Sequence, residues 1–251
     1  MEINYHTIIH GDSKAYPARI ATVVNLAGTP FQDPFALNLK NTPYEKTSIS
    51  ELLQKIVTQR EEDAETTAVV FTCGEIGLQA NALQALAIEL QRENFKIKID
   101  TNGFYPEETK NLLPYVNYIS LQIKTQLDAI HYSKILGTMP FDTYYSRLVR
   151  TFAFLEKATA MREITTPVIG GLNNKKNIVE SIAKEITPFA DVYVLEQWSP
   201  NTDYAHAAGY YVASRQELLE LAASARNIFP KVNIRALQVI EQELIHHQVK
   251  K

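Results

Sequence analysis

Glu75, Asp100, Glu196 and Lys124 each stand at or just past the end of an apolar run: T-A-V-V-F-T, F-K-I-K-I-D, D-V-Y-V-L-E and V-N-Y-I-S-L-Q-I-K. Carboxylates so placed can move protons, and a lysine can act as general base or Schiff-base nucleophile when its surroundings disfavour its charge. Nothing in the neighbouring sequence does that to Lys124. Thr101, Asn102 and Gln122 add a hydroxyl and two amides at the same run ends, although Asn102-Gly103 would make a tight turn whatever the function. Cys73 is the one cysteine of the chain. No histidine adjoins it, so it reads as a small buried apolar residue rather than a nucleophile. A single cysteine also excludes an internal disulfide and a Cys-based zinc site. His6 and His10 have a ligand spacing useful only on a helix, which their β-branched neighbours disfavour, so they are expected as surface histidines.

These groups need strands to hold them. Residues 19–26, R-I-A-T-V-V-N-L, have the β-branched continuity of a strand covered on both faces. Gly28, Pro30 and Pro34 punctuate the following loop. Phe31 and Phe35 give it apolar weight, so the stretch Gly28 to Asn38 is expected to be ordered over the strand end with both rings buried. Further strands are expected over Thr67–Thr72, Phe95–Asp100, Val116–Lys124, Met161–Thr166, Asp191–Gln197 and Val232–Leu237. Helices alternate with them, the first opened by a capping box of Ser48 and Glu51. Asn4–His10 reads as a short strand before a turn at Gly11-Asp12-Ser13, Val168–Asn174 as a loop, and Asn201–Val212 as a Tyr- and Ala-rich lid or partner surface. Six such strand-helix units favour a parallel sheet with right-handed crossovers, whose ligands meet the C-terminal strand ends.

The segment R-I-A-T-V-V-N-L-A-G-T-P-F-Q-D-P-F-A-L-N resembles the first strand and cluster loop of the radical S-adenosylmethionine (SAM) superfamily. Within it, the likeness is to the glycyl-radical-enzyme activating branch, the pyruvate formate-lyase and anaerobic ribonucleotide reductase activases and their archaeal relatives, which reads approximately R-I-A-T-V-V-x-L-x-G-C-x-F-x-C-P-Y-C-x-N. Gly28, Phe31, Pro34, Phe35 and Asn38 match, but the three cluster cysteines fall on Thr29, Asp33 and Ala36. Cys73-Gly74-Glu75-Ile76-Gly77-Leu78-Gln79 is similar to Gly-Gly-Glu-Pro-x-Leu-Gln, which in relatives meets the amino group of the SAM methionine. Here Cys73 would crowd a ligand approaching the main chain. Asp100-Thr101-Asn102-Gly103 looks like the turn near the SAM ribose and methionine carboxylate, and L-Q-I-K-T-Q-L-D like L-D-I-K-x-x-L-D, with Gln122 replacing a carboxylate that would partner Lys124 or a cation. Val168 to Asn174 resembles V-V-P-G-L-x-D with its register shifted by Pro167, which leaves the equivalence of Arg162 open. The resemblance implies an α/β fold, the partial (β/α)6 barrel of radical SAM type. It implies one domain, 1–251, with 1–18 as N-terminal lead-in and 238–251 as C-terminal tail.

Cluster iron is held by thiolates, and a 4Fe–4S cluster that leaves one iron for SAM needs three. No 4Fe–4S cluster and weak or absent SAM binding are therefore expected, with Cys73, Gly74, Glu75, Asp100, Thr101, Asn102, Gln122 and Lys124 as the small-molecule site and Glu75 and Lys124 as candidate catalytic groups. Three functions compete. One is a pseudoenzyme that binds a small molecule or protein partner; another is a non-redox enzyme reusing the strand-end carboxylates and Lys124. The third is a radical SAM activating enzyme whose cluster is completed by a partner or whose cysteines were engineered away. A net charge of −3 argues against nucleic acid and anionic membranes as partners. Without an apolar run of about 20 residues or a signal peptide, the chain is expected in the cytoplasm.

Overall fold

The computed structural model describes residues 1–31, 33, 42–198 and 209–236. Strands β1 (Glu2–Tyr16), β2 (Arg19–Leu26) and β3 (Glu45–Ser48) lead into helix α1 (Ile49–Glu62). There follow β4 (Thr66–Thr72), α2 (Ala80–Arg92), β5 (Lys96–Thr101), α3 (Pro106–Leu112), β6 (Tyr118–Gln122), α4 (Ala129–Leu136) and α5 (Phe141–Leu155). The chain continues through β7 (Met161–Gly170), α6 (Lys176–Ile186), β8 (Val192–Gln197), β9 (Tyr211–Val212), α7 (Arg215–Ala225) and β10 (Val232–Arg235). The sheet order is β10-β8-β7-β6-β5-β4-β2-β1-β3, and every neighbouring pair from β10 to β2 is parallel. β1 and β3 extend one edge antiparallel, so among the described residues β2 and β10 do not close on each other. This is a mixed α/β fold built on an open parallel barrel.

Local sequence explains the helices. Ser48 and Glu51 form the expected capping box on α1, and Ser214 and Glu217 form a second one on α7. α2 turns Leu83, Leu86 and Leu90 onto the sheet, with Leu86 and Leu90 fully buried. No helix among the described residues is long and apolar enough to cross a membrane.

Two expectations are corrected. β1 does not stop at His10: it runs on to Tyr16 with register shifts between Ile9 and Asp12 and between Asp12 and Tyr16. Gly11, at φ +69°, takes up the left-handed geometry there, so a bulge carries the ladder where a turn was expected. β7 likewise continues through Pro167 to Gly170, where a loop was expected from Val168. Thr165 O accepts from Ile123 N on the β6 side, and Pro167, two residues on, faces that same side just beyond the end of β6. A missing N–H costs the ladder nothing there. Asn173 Nδ2 instead donates to Pro167 O at 2.7 Å and Lys124 O at 2.6 Å, stitching the two strand ends.

Candidate ligand site in the barrel

Alternation along the strands turns one set of side chains into the barrel: Lys98 and Asp100 from β5, Ser120 and Gln122 from β6, Thr165 from β7, Glu196 from β8 and Arg235 from β10 all line a cavity of about 430 Å³. The end of β1 turns into the same space. Ala15 O accepts from Lys98 Nζ at 2.8 Å, and the Tyr16 and Tyr118 rings lie 5.6 Å apart. Cys73, Gly74, Glu75, Thr101, Asn102 and Lys124 also line it, so the structure brings together every site residue anticipated from the sequence.

Phe31 is buried against Phe104 at 5.4 Å and Tyr144 at 5.5 Å, which pins the start of the post-β2 loop to the barrel rim. Phe35, Ala36 and Asn38 lie outside the described residues. Gly28 O accepts from Glu75 N at 2.9 Å, tying the loop to the turn after β4. Asp33 then reaches across the mouth to an ion pair with Lys124, their side chains 3% and 12% exposed. Asp33, which falls where the resembled cluster motif has a cysteine, is thus neutralised by a lysine just past the end of β6.

The turn after β4 keeps a glycine-like backbone without the glycine. Cys73 has φ +74°, a left-handed conformation that costs an L-residue about 1–2 kcal/mol. Burial, followed by the Asp100 charge, pushes its thiol up to about 11, so the thiolate is scarce at neutral pH. At Gly74, a Cβ would meet Leu26 O at 2.6 Å, so only glycine lets this turn pack on the end of β2.

Glu75 is 3% exposed and points inward to structure. Its carboxylate accepts from Thr101 Oγ1 at 2.7 Å, Asn102 N at 2.8 Å and Gly77 N at 3.3 Å. Burial nonetheless dominates these bonds and raises its pKa to about 7. Because the folded-state value exceeds the usual 4.5, the stabilisation linked to Glu75 is full below pH 4.5 and is lost as pH rises to about 7, a difference of about 3 kcal/mol. Urea unfolding of the native chain between pH 5 and 8 should show this fall, and Glu75→Gln should flatten it; an equal slope in both proteins would refute the assignment.

Deeper in the barrel, Glu163 of β7 is 2% exposed. It is bound by Arg235 Nη2 at 3.0 and 3.1 Å, Tyr118 Oη at 2.6 Å and Ser120 Oγ at 2.9 Å. Burial alone would raise its pKa, but the Arg235 and Lys98 charges and the Tyr118 and Thr165 hydrogen bonds outweigh it and bring the group down to about 2. Sequence reasoning missed Lys98, Glu163 and Arg235. Their signal was period two: Lys98 with Asp100 and Glu163 with Thr165 share a strand face. Arg162, left open by the sequence, lies at the opposite end of β7, paired to Asp191 at 2.6 Å.

The residues present do not fit a resident 4Fe–4S cluster. Positions 29, 33 and 36 carry Thr, Asp and Ala, the sole thiol is Cys73 on another turn, and Asp33 is engaged by Lys124. Among the described residues no group of three His, Cys, Asp or Glu side chains is arranged to hold a metal ion.

This open parallel barrel is shared with solved radical SAM proteins. A radical SAM methyltransferase from Sphaerobacter thermophilus superimposes with a TM-score of 0.69 over 90% of this chain and 69% of that one, at 14% identity. A domain of pyruvate-formate lyase-activating enzyme from Bacteroides vulgatus gives a TM-score of 0.53 over 66% of this chain and 98% of that one, at 14% identity. At such identity these likenesses show the fold alone. In sequence, the chain is 24% identical over 228 residues to the putative glycyl-radical enzyme activating enzyme MJ1227 of Methanocaldococcus jannaschii, covering 88% of this chain and 91% of that protein. No family model matches the chain. The chain has the fold of solved radical SAM proteins, and in sequence it is similar to a putative glycyl-radical enzyme activating enzyme.

Proposed function

We propose that this chain is a cluster-free member of the radical SAM fold that binds a small polar molecule in its barrel and performs no radical chemistry on its own, in the cytoplasm. The observation that carries the reading is the Asp33–Lys124 ion pair. A loop that had merely lost its thiolates would leave an unsupported mouth; here a cysteine position has become one half of a buried charge pair that holds the loop to β6. The glycine-like turn at Cys73 and the cavity lined by side chains from both ends of the chain support retention of a binding function.

SAM itself is a poor candidate for the ligand. Metal chelation would contribute much of its binding energy, and the chain has no thiolate set to hold that metal. Calorimetry should find SAM no tighter than about millimolar, equivalent to about −4 kcal/mol. Cys73→Gly, which removes the crowding side chain, should improve this modestly. Micromolar SAM binding to the unmodified protein would contradict the reading and point to a non-radical use of SAM.

A further inference from the structure

The cavity has a floor as well as a mouth, and three of its four lining cations are committed, the fourth being the exposed Lys14 of β1. Lys98 Nζ donates to Ala15 O at 2.8 Å, Arg235 makes its closest contacts with Glu163, and Lys124 holds Asp33. Two carboxylates are less well served. Among the described residues, Asp100 Oδ1 is buried and accepts no hydrogen bond, its one ion contact being Lys98 at 3.3 Å in poor alignment. Glu196 meets Arg235 only at 3.4 Å. The two belong to β5 and β8, on opposite sides of the β6–β7 pair, and both line the cavity. Burial, and after it the Asp100 charge, raises the Glu196 carboxyl above its usual value against the opposing pull of Arg235. Between them, Gln122 presents a side-chain amide from β6.

We propose that this inner face is a subsite for a primary ammonium group of the bound molecule, held between Asp100 and Glu196 with Gln122 as a further acceptor. The proposal rests on reading the cavity as a small-molecule site, and does not depend on whether a cluster can be built. An ammonium brings three donors and a further positive charge to a face where Asp100, Glu163 and Glu196 share only Lys98 and Arg235, whereas water supplies donors without charge. At this inner face a carboxylate or phosphate would meet both acids, while Lys98 and Arg235 are already engaged, so anionic ligands are disfavoured there.

The test is calorimetric titration at fixed ionic strength with 1,4-diaminobutane, 1,4-butanediol and succinate. The diamine is expected to bind saturably at one site, with the diol and succinate at least tenfold weaker. Asp100→Asn and Glu196→Gln should each weaken the diamine tenfold or more. Asp100→Asn also loosens Lys98, so its fold is checked by circular dichroism, and Glu196→Gln decides the matter if it unfolds. A diamine no tighter than the diol, an affinity unchanged in Glu196→Gln, or full displacement by equimolar potassium, meaning an inorganic cation only, would overturn the proposal. Failure of the cluster-free reading would appear differently, as iron and sulfide retained by a protein that still binds the diamine.

Discussion

Arg235→Met is expected to lower the unfolding free energy by about 3–5 kcal/mol, because it leaves the Glu163 carboxylate, with its side chain 1% exposed, buried without its principal cation. The neighbouring Lys98, Tyr118, Ser120 and Thr165 temper the loss without replacing a two-contact guanidinium. Arg235 comes from the last described strand and Glu163 from the centre of the sheet, so the pair also fixes β10 against the barrel interior. Urea denaturation at pH 7 measures the effect. The double variant Glu163→Gln, Arg235→Met should recover more than half of it, since the buried charge is then gone. An Arg235→Met protein within about 1 kcal/mol of the native chain would mean that the network is dispensable.

Lys124→Met is expected to have a similar cost, about 3–5 kcal/mol, by removing the cation from an Asp33 side chain that is 3% exposed. Its effect should also be local. Hydrogen exchange at residues 28–31 should quicken, because the ion pair and the packing of Phe31 on Phe104 and Tyr144 together hold that stretch. Combining Lys124→Met with Asp33→Leu should restore most of the stability. If Lys124→Met left both stability and exchange unchanged, the pair would be a surface accident rather than the support of the mouth.

Much of the fold was legible because its signals are local. Apolar β-branched runs marked β2 and β4, and the Ser48–Glu51 capping box marked the start of α1 to the residue. The two misread segments, the second half of β1 and the end of β7, contain the residues that local rules treat as breakers, Gly11 and Pro167. Tertiary pairing overrode them: Gly11 sits in a bulge that β2 supports, and Pro167 lies beyond the end of β6. β3 and β9, of four and two residues, carry no pattern long enough to read and exist because β1 and β7 offer them edges.

The site was legible at its mouth and hidden at its floor. Gly74, Glu75, Thr101 and Asn102 stand out because glycine and polar groups at strand ends break an apolar run. Lys98, Glu163 and Arg235 lie within strands, where a charged residue reads as solvent-facing unless the opposite-charge partner is known. That partner is 72 residues away in the case of Glu163 and Arg235, and 91 in the case of Asp33 and Lys124. No local rule connects such pairs; only the barrel does.

With Thr29, Asp33 and Ala36 at the positions where the resembled cluster motif has cysteines, the native chain is expected to hold no 4Fe–4S cluster. Iron and sulfide analysis after anaerobic reconstitution, read together with absorption near 400 nm, tests it most directly. The native chain is expected to return no cluster, whereas Thr29→Cys, Asp33→Cys, Ala36→Cys combined should take up about four iron and four sulfide per chain. Stoichiometric cluster on the unmodified chain would contradict the account.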